Sequence, residues 1–378
     1  MKAIGVATVA LLAAFGAAVG AACASSPPTA APSAALGTSA PSAAPGTPLP
    51  MPGPERGRLG AAVKENAECV RCHADVAAEW SASLHHTSDT EPAYRVSFDI
   101  EPLPFCRSCH APEAIADRDE PDDVRELGVG CVTCHVTEPG AVLAAPRAAG
   151  ASMGSPLGPY ERAPHRVIRD ARFASGGACA GCHEFAFPGR EVRSVEDLMQ
   201  GTMAEHAASS RREQACADCH MPAASSGSAP PRRSHRFTTS RDAEQVRRAV
   251  EIRAERVDDT HVLVSLLPDQ LGHAFPTGDL FRRVEISAWV ADDPSNKAVR
   301  FLARHFGAEA AGMGRKLLSD DRVRDGGAKI LLELGAASAG KPVAWSVRYQ
   351  RVAHPNGIDE RDATLEGELE LASGTLSR

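Results

Sequence analysis

The sequence predicts a mixed fold, with short helices and irregular backbone over residues 57–238 followed by an all-β, sandwich-like domain over residues 239–378. Three observations predict it. Five copies of one short cysteine and histidine unit lie between Cys69 and His220, which leaves each about thirty residues, too few for a hydrophobic core of its own. Aromatic residues make up only 4% of the chain, so large rings do not fill that core. After His235 the units stop, and a two-residue alternation of apolar and polar side chains begins.

The chain starts with Lys2 and an apolar run from Ile4 to Ala22, the pattern of a secretory signal over residues 1–24. Three readings fit it. Cys23 in "VGAAC" stands where a bacterial lipoprotein carries its lipidated cysteine, with Gly20 a poor residue ahead of it; Ala22-x-Ala24 fits ordinary signal cleavage. An uncleaved anchor is the third, although the run is barely long enough to span a bilayer. All three export the rest of the chain, to the periplasm or the outer membrane, with membrane contact only through the amino terminus. Residues 25–56, nearly all Pro, Ala, Ser, Thr and Gly, cannot offset their ordering entropy by burial and are predicted to be a disordered linker.

A net charge of −7 and the lack of a long basic run exclude a nucleic-acid binder, which must neutralise phosphates.

Of eleven cysteines, all but Cys23 fall in C-x-x-C-H units: Cys69, Cys72 and His73; Cys106, Cys109 and His110; Cys131, Cys134 and His135; Cys179, Cys182 and His183; Cys216, Cys219 and His220. Random placement of the same residues would give roughly 0.01 such units. Two thiols three residues apart leave one side of a helical turn, where both can add to the vinyl groups of one haem. The adjoining histidine then lies against the iron as proximal ligand. Five covalently attached haem c groups are predicted, held by these residues. Disulfides would explain neither the fixed spacing nor the five histidines, and zinc would take the pairs two at a time and leave one unmatched. Packed porphyrins then stand in for the missing aromatic core.

The sixth position of each iron decides its chemistry: histidine makes a low-spin carrier, methionine raises the potential, and an open position admits a ligand. Nine histidines lie outside the units: His85, His86, His165, His206, His235, His261, His273, His305 and His354. His206 has the best local pattern. Ser194 and Asp197 have capping-box spacing, and Val195, Met199, Thr202 and His206 follow at helical intervals, predicting one helix with His206 on its haem-facing side. The stripe of Val76, Trp80 and Leu84 leaves both His85 and His86 to one side, and periodicity does not choose between them.

Together with "EWSASLHH", "GVGCVTCH", "APHRV", "MQGTMAEHAASS", "CADCHMP" and "SHRF", the five units resemble the multihaem cytochrome c superfamily of the tetrahaem cytochrome c-554 type, which is related to pentahaem nitrite reductases and hydroxylamine oxidoreductase. The resemblance covers roughly residues 60 to 237. It implies a distal ligand from the W-x-x-S-x-H segment, favouring His85, and further ligands at His165 and His235. The nitrite reductases hold their catalytic iron with C-x-x-C-K, which is missing here, and Tyr94, Tyr160 and Tyr349 do not match a haem-linked tyrosine. Both departures count against catalysis.

In the last third, "VEIRAERVDDTHVLVSLL" reads as a hairpin about Asp258-Asp259, and "VEISAWVADD", "AKILLEL", "PVAWSVRYQRV" and "TLEGELELASG" alternate likewise, as about seven or eight strands of a β-sandwich. The loop "LGHAFPTGDLFRR" places His273 beside Pro276 and Gly278, and G-H-x-F-P-T-G segments accompany multihaem cytochromes. Two readings stand: His273 reaches a haem and locks the sandwich to it, or the loop is a tight turn with His273 at the surface. His261, His305 and His354 are read as non-ligands.

The functional reading is an exported pentahaem electron carrier with bis-histidine irons, His85, His165, His206, His235 and His273 being the distal candidates. Such ligation favours lower potentials than histidine with methionine. Propionates add negative charge, so the redox partner presents a basic docking patch. The alternative is a reductase or oxidase of a small nitrogen or sulfur oxyanion at one open haem near Arg282 and Arg283. A third reading makes the sandwich the part that docks on a partner.

Overall fold

The computed structural model describes residues 60–115, 121–138, 141–146, 164–188, 191–224, 232–308 and 315–377. The signal, Cys23, the linker and Tyr160 lie outside them. All described residues belong to one compact unit. No helix among them is long and apolar enough to cross a membrane.

Up to His220 the helices are short, and each C-x-x-C-H unit forms the end of one: Ala62–Cys72, Pro104–His110, Cys131–His135, Gly177–His183 and Cys216–His220. The local reason is the three-residue step, which brings both thiols to one helix face. Proline at the first turn starts Pro104–His110 and Pro92–Ile100, the latter capped by the Glu91 carboxylate on the Tyr94 N–H. Small sheets join the helices. Strands β1 (Val136–Glu138), β2 (Ala141–Ala144) and β3 (Arg166–Arg169) form one, and β4 (Glu184–Ala186) pairs with β5 (Leu198–Gly201) in another. One apolar cluster in this part gathers Ala62, Trp80, Leu127, Val132 and Val136.

The predicted helix through Ser194 and His206 breaks into three pieces. Its capping box forms, but it opens only a 3-10 turn, Val195–Asp197; strand β5 follows, and a helix restarts at Thr202–Ala207. The Arg304 guanidinium explains the break. It donates to the carbonyls of Leu198 and Met199 at 2.7 and 2.9 Å, which removes those acceptors from any helical ladder.

Beyond Asp242 the predicted alternation becomes two packed sheets. Strands β6 (Val250–Arg256) and β7 (His261–Pro268) form the expected antiparallel hairpin. Then come β8 (Arg282–Val290), β9 (Asp293–Leu302), β10 (Arg304–Ala308), β11 (Arg315–Asp320), β12 (Ala328–Glu333), β13 (Val343–Val352) and β14 (Leu365–Leu376). One sheet has the order β12-β7-β6, the other β14-β13-β8-β9, with β10 and β11 paired separately. Val262, Val264 and Leu266 of the first sheet and Val284, Ile286, Val343 and Val347 of the second share one buried core. The region is a β-sandwich because every second residue of these strands is apolar and faces that core.

Candidate haem sites

The proximal imidazoles are held in fixed orientations. Nδ1 of His110, His135 and His220 lies 2.6, 2.8 and 2.8 Å from the carbonyls of Ser88, Leu143 and Thr238, which leaves each Nε2 free to face outward. Nδ1 of His183 instead meets the Gln200 side-chain amide at 3.2 Å. All ten described cysteines are free thiols. The Cys109 and Cys182 thiols hydrogen-bond, as do those of Cys179 and Cys216, so the fourth motif adjoins the second and the fifth. Partial burial pushes the Cys106 and Cys131 thiols up to about 11.

Four proximal imidazoles have a second imidazole opposite them. Ring centroids are 6.4 Å apart for His73 and His165, 6.3 Å for His183 and His85, 6.3 Å for His135 and His235, and 6.1 Å for His220 and His273. A metal bound about 2 Å from two opposed nitrogens, each about 1.1 Å from its ring centre, sets two imidazole centres about 6.2 Å apart. The four pairs fit one haem iron each. Burial, with the neighbouring imidazoles His183, His220 and His110, lowers His85 to about 3, and burial lowers His183 to about 4, which favours the neutral ring that a metal would need.

His86 turns the other way and packs on Trp80, with ring centres 4.1 Å apart. His206 faces no proximal imidazole; its ring lies against Gly272, beside the pair formed by His220 and His273. His261 is bound to Asp258, His305 lies between Asp321 and Asp359, and His354 caps the turn Pro355–Asp359.

His110 differs from the other four. Among the described residues no imidazole stands opposite it, and Tyr94 stacks flat on its ring at 3.8 Å and 10°. Burial lowers its basicity, against the hydrogen bond to the Ser88 carbonyl and the charges of Asp279 and Asp89, and Arg351 lowers it further. Arg282 hydrogen-bonds to Ser240, Tyr349 and Asp279, yet its Nε has no partner. Arg283 is spent elsewhere: it is 1% exposed and bonded to Gln350 and to the carbonyls of Gly357, Ile358 and Glu360. Buried donors without a partner also include Tyr94 Oη, Arg125 Nε and His165 Nδ1. Donors of this kind suit carboxylates such as haem propionates, while the buried Asp89 and Glu366 oxygens that likewise lack a hydrogen-bond partner do not, so the fit to haem rests on the histidine spacing.

Sequence reasoning missed Phe237, whose ring sits edge-on to both His85, at 4.3 Å, and His235, at 5.7 Å. Its backbone takes the left-handed conformation, φ 50°, a strain held where two candidate ligands meet. It missed Gln200 and Thr277 as well. No periodicity marks them, because their contacts join segments far apart in sequence.

The family model described as cytochrome c554 and c-prime matches residues 68–136, which contain the first three motifs. No curated protein matches the chain. The fold is that of a penta-haem cytochrome c552 from Thermochromatium tepidum, at TM-score 0.59 and 17% identity over 84% of this chain and 98% of that one. MtrC from Shewanella baltica OS185 is matched at TM-score 0.19 and 14% identity, over 71% of this chain and 44% of that one. The matched segment contains the first three C-x-x-C-H motifs, and two further motifs of the same spacing follow it: over these residues the chain is similar to the cytochrome c554 family, and its fold is similar to that of a penta-haem c-type cytochrome.

Proposed function

We propose that the chain is an exported five-haem electron carrier in which His165, His85, His235 and His273 serve as distal ligands to the irons on His73, His183, His135 and His220. The observation that carries this reading is the common 6.1 to 6.4 Å separation within the four histidine pairs. Haem supplies the one-electron Fe(III)/Fe(II) couple. The residues supply rigid positions: each pair joins segments distant in sequence and fixes both faces of its site, so that little rearranges as an electron moves. The thiols of the first and third motifs, of the third and fourth, of the second and fourth, and of the fourth and fifth lie near enough to influence one another, which favours a continuous path. The acidic chain, at −7 before propionates are counted, suits a partner with a basic patch, and transfer to it slows as salt rises.

A second reading rests on His110, which has no facing imidazole among the described residues. An open iron there would take a small nitrogen or sulfur oxyanion, with Arg282 and Arg351 as the nearby cations. A low-temperature electron paramagnetic resonance spectrum of the oxidised holoprotein tests both. Four low-spin irons and one high-spin iron that shifts on adding nitrite support the pairs and the open site; five low-spin irons remove the second reading; and more than one high-spin iron removes the first.

A further inference from the structure

His183 is the proximal histidine whose Nδ1 meets a side chain, and that side chain begins a hydrogen-bonded chain into the sandwich. The Gln200 amide atom that lies 3.2 Å from His183 Nδ1 also lies 3.3 Å from Thr202 Oγ1. Thr202 Oγ1 is 3.1 Å from Thr277 Oγ1, and Thr277 donates to Glu205 at 2.5 Å. Glu205 receives the Arg322 guanidinium at 2.7 Å, and Arg322 also grips Asp320 with two bonds of 2.8 Å. Gln200 and Arg322 are buried, at 8% and 7% exposure.

Counting hydrogens shows what the chain does. An imidazole bound through Nε2 carries its proton on Nδ1, so Gln200 must turn its Oε1 toward His183, the amide orientation being interchangeable in shape. Four contacts then run from His183 to Glu205, while Nδ1 and the two threonine hydroxyls bring only three hydrogens, since a carboxylate paired with arginine brings none. The Thr202 hydrogen goes either to Gln200 or to Thr277. Gln200 Oε1 is therefore claimed by two donors, and its hold on His183 depends on a threonine of the sandwich loop.

We propose that Gln200 is a positioning residue that sets how strongly His183 donates to its iron, and that Thr277, acting through Thr202, adjusts that hold. The inference rests on His183 being an iron ligand. A stronger acceptor on Nδ1–H gives the imidazole more anionic character and favours Fe(III); removing the acceptor favours Fe(II).

The test is a spectropotentiometric titration of the holoprotein with Gln200→Leu and the isosteric Gln200→Glu. One of the five midpoints is expected to rise in Q200L and fall in Q200E, each by about tenfold in the Fe(III)/Fe(II) ratio at fixed potential, or about 59 mV for one electron. Midpoints that stay in place in both variants, or move in the same direction, overturn the proposal. A His183→Ala sample separates this from the ligation reading: if its low-spin signals match the parent, His183 is no ligand and both fall, whereas a lost low-spin signal beside unmoved Gln200 variants overturns the role of Gln200 alone.

Discussion

His85 stands opposite His183, ring centroids 6.3 Å apart, although one follows the first motif and the other closes the fourth. Its neighbour His86 packs on Trp80 at 4.1 Å. The assignment predicts an asymmetry: His85→Ala converts one low-spin iron to high-spin, while His86→Ala leaves the spectrum of the parent. Paramagnetic resonance of the two variants reads this directly, and an equal effect from both would refute it.

A glycine holds His85 in that position. Gly128 has φ +56°, and a Cβ there would collide with the main-chain carbonyls of His85 and His86. Val129 donates to the same His85 carbonyl at 2.8 Å. Gly128→Ala should cost at least about 1 kcal/mol from the left-handed backbone alone and raise the high-spin fraction at the His183 iron. Thermal melting and the spin-state spectrum of that variant check both.

How far the sequence reached depended on whether a contact is local. The five motifs and the hairpin of β6 and β7 follow from spacing and alternation within a few residues. Which of His85 and His86 turns toward His183 does not, because Gly128 and Val129, which pack on the His85 carbonyl, lie beyond any helical period from Trp80. The helix predicted through Met199 failed for a similar reason: Arg304, on β10, takes the carbonyls a helix would need. His206 had the clearest local pattern and faces no proximal imidazole, whereas His273, read with two alternatives, stands 6.1 Å from His220. Pairing across the haem sites is a long-range property, and periodicity carries no information about it.

The loop that carries His273 is anchored by a buried cation. Arg322, whose side chain is 4% exposed, bonds to the Pro276 carbonyl at 3.0 Å, to Glu205 and to Asp320. Removing one member of such a cluster leaves charges uncompensated in the interior. Arg322→Met is expected to destabilise the protein by about 3 kcal/mol, seen as a lower melting temperature by far-ultraviolet circular dichroism, and to loosen His273 enough to add high-spin signal. Destabilisation without that signal would mean that the loop keeps its position by other contacts.

A pH effect comes from a histidine away from the haem sites. His305 lies between Asp321 and Asp359, at 2.9 and 2.7 Å, and ties β10 to the turn Pro355–Asp359. Its basicity is raised, first by the hydrogen bond to Asp321 and against the opposing effect of burial. A histidine whose folded value is raised contributes stability that is fully present below its unfolded value, about 6.5, and is lost as pH climbs through the folded value. The melting temperature should therefore fall as pH rises above about 6.5 and level off once pH has passed the raised folded value. His305→Gln keeps a polar side chain but cannot be charged. That variant should lose this part of the pH dependence, and an unchanged slope would place the effect on another group.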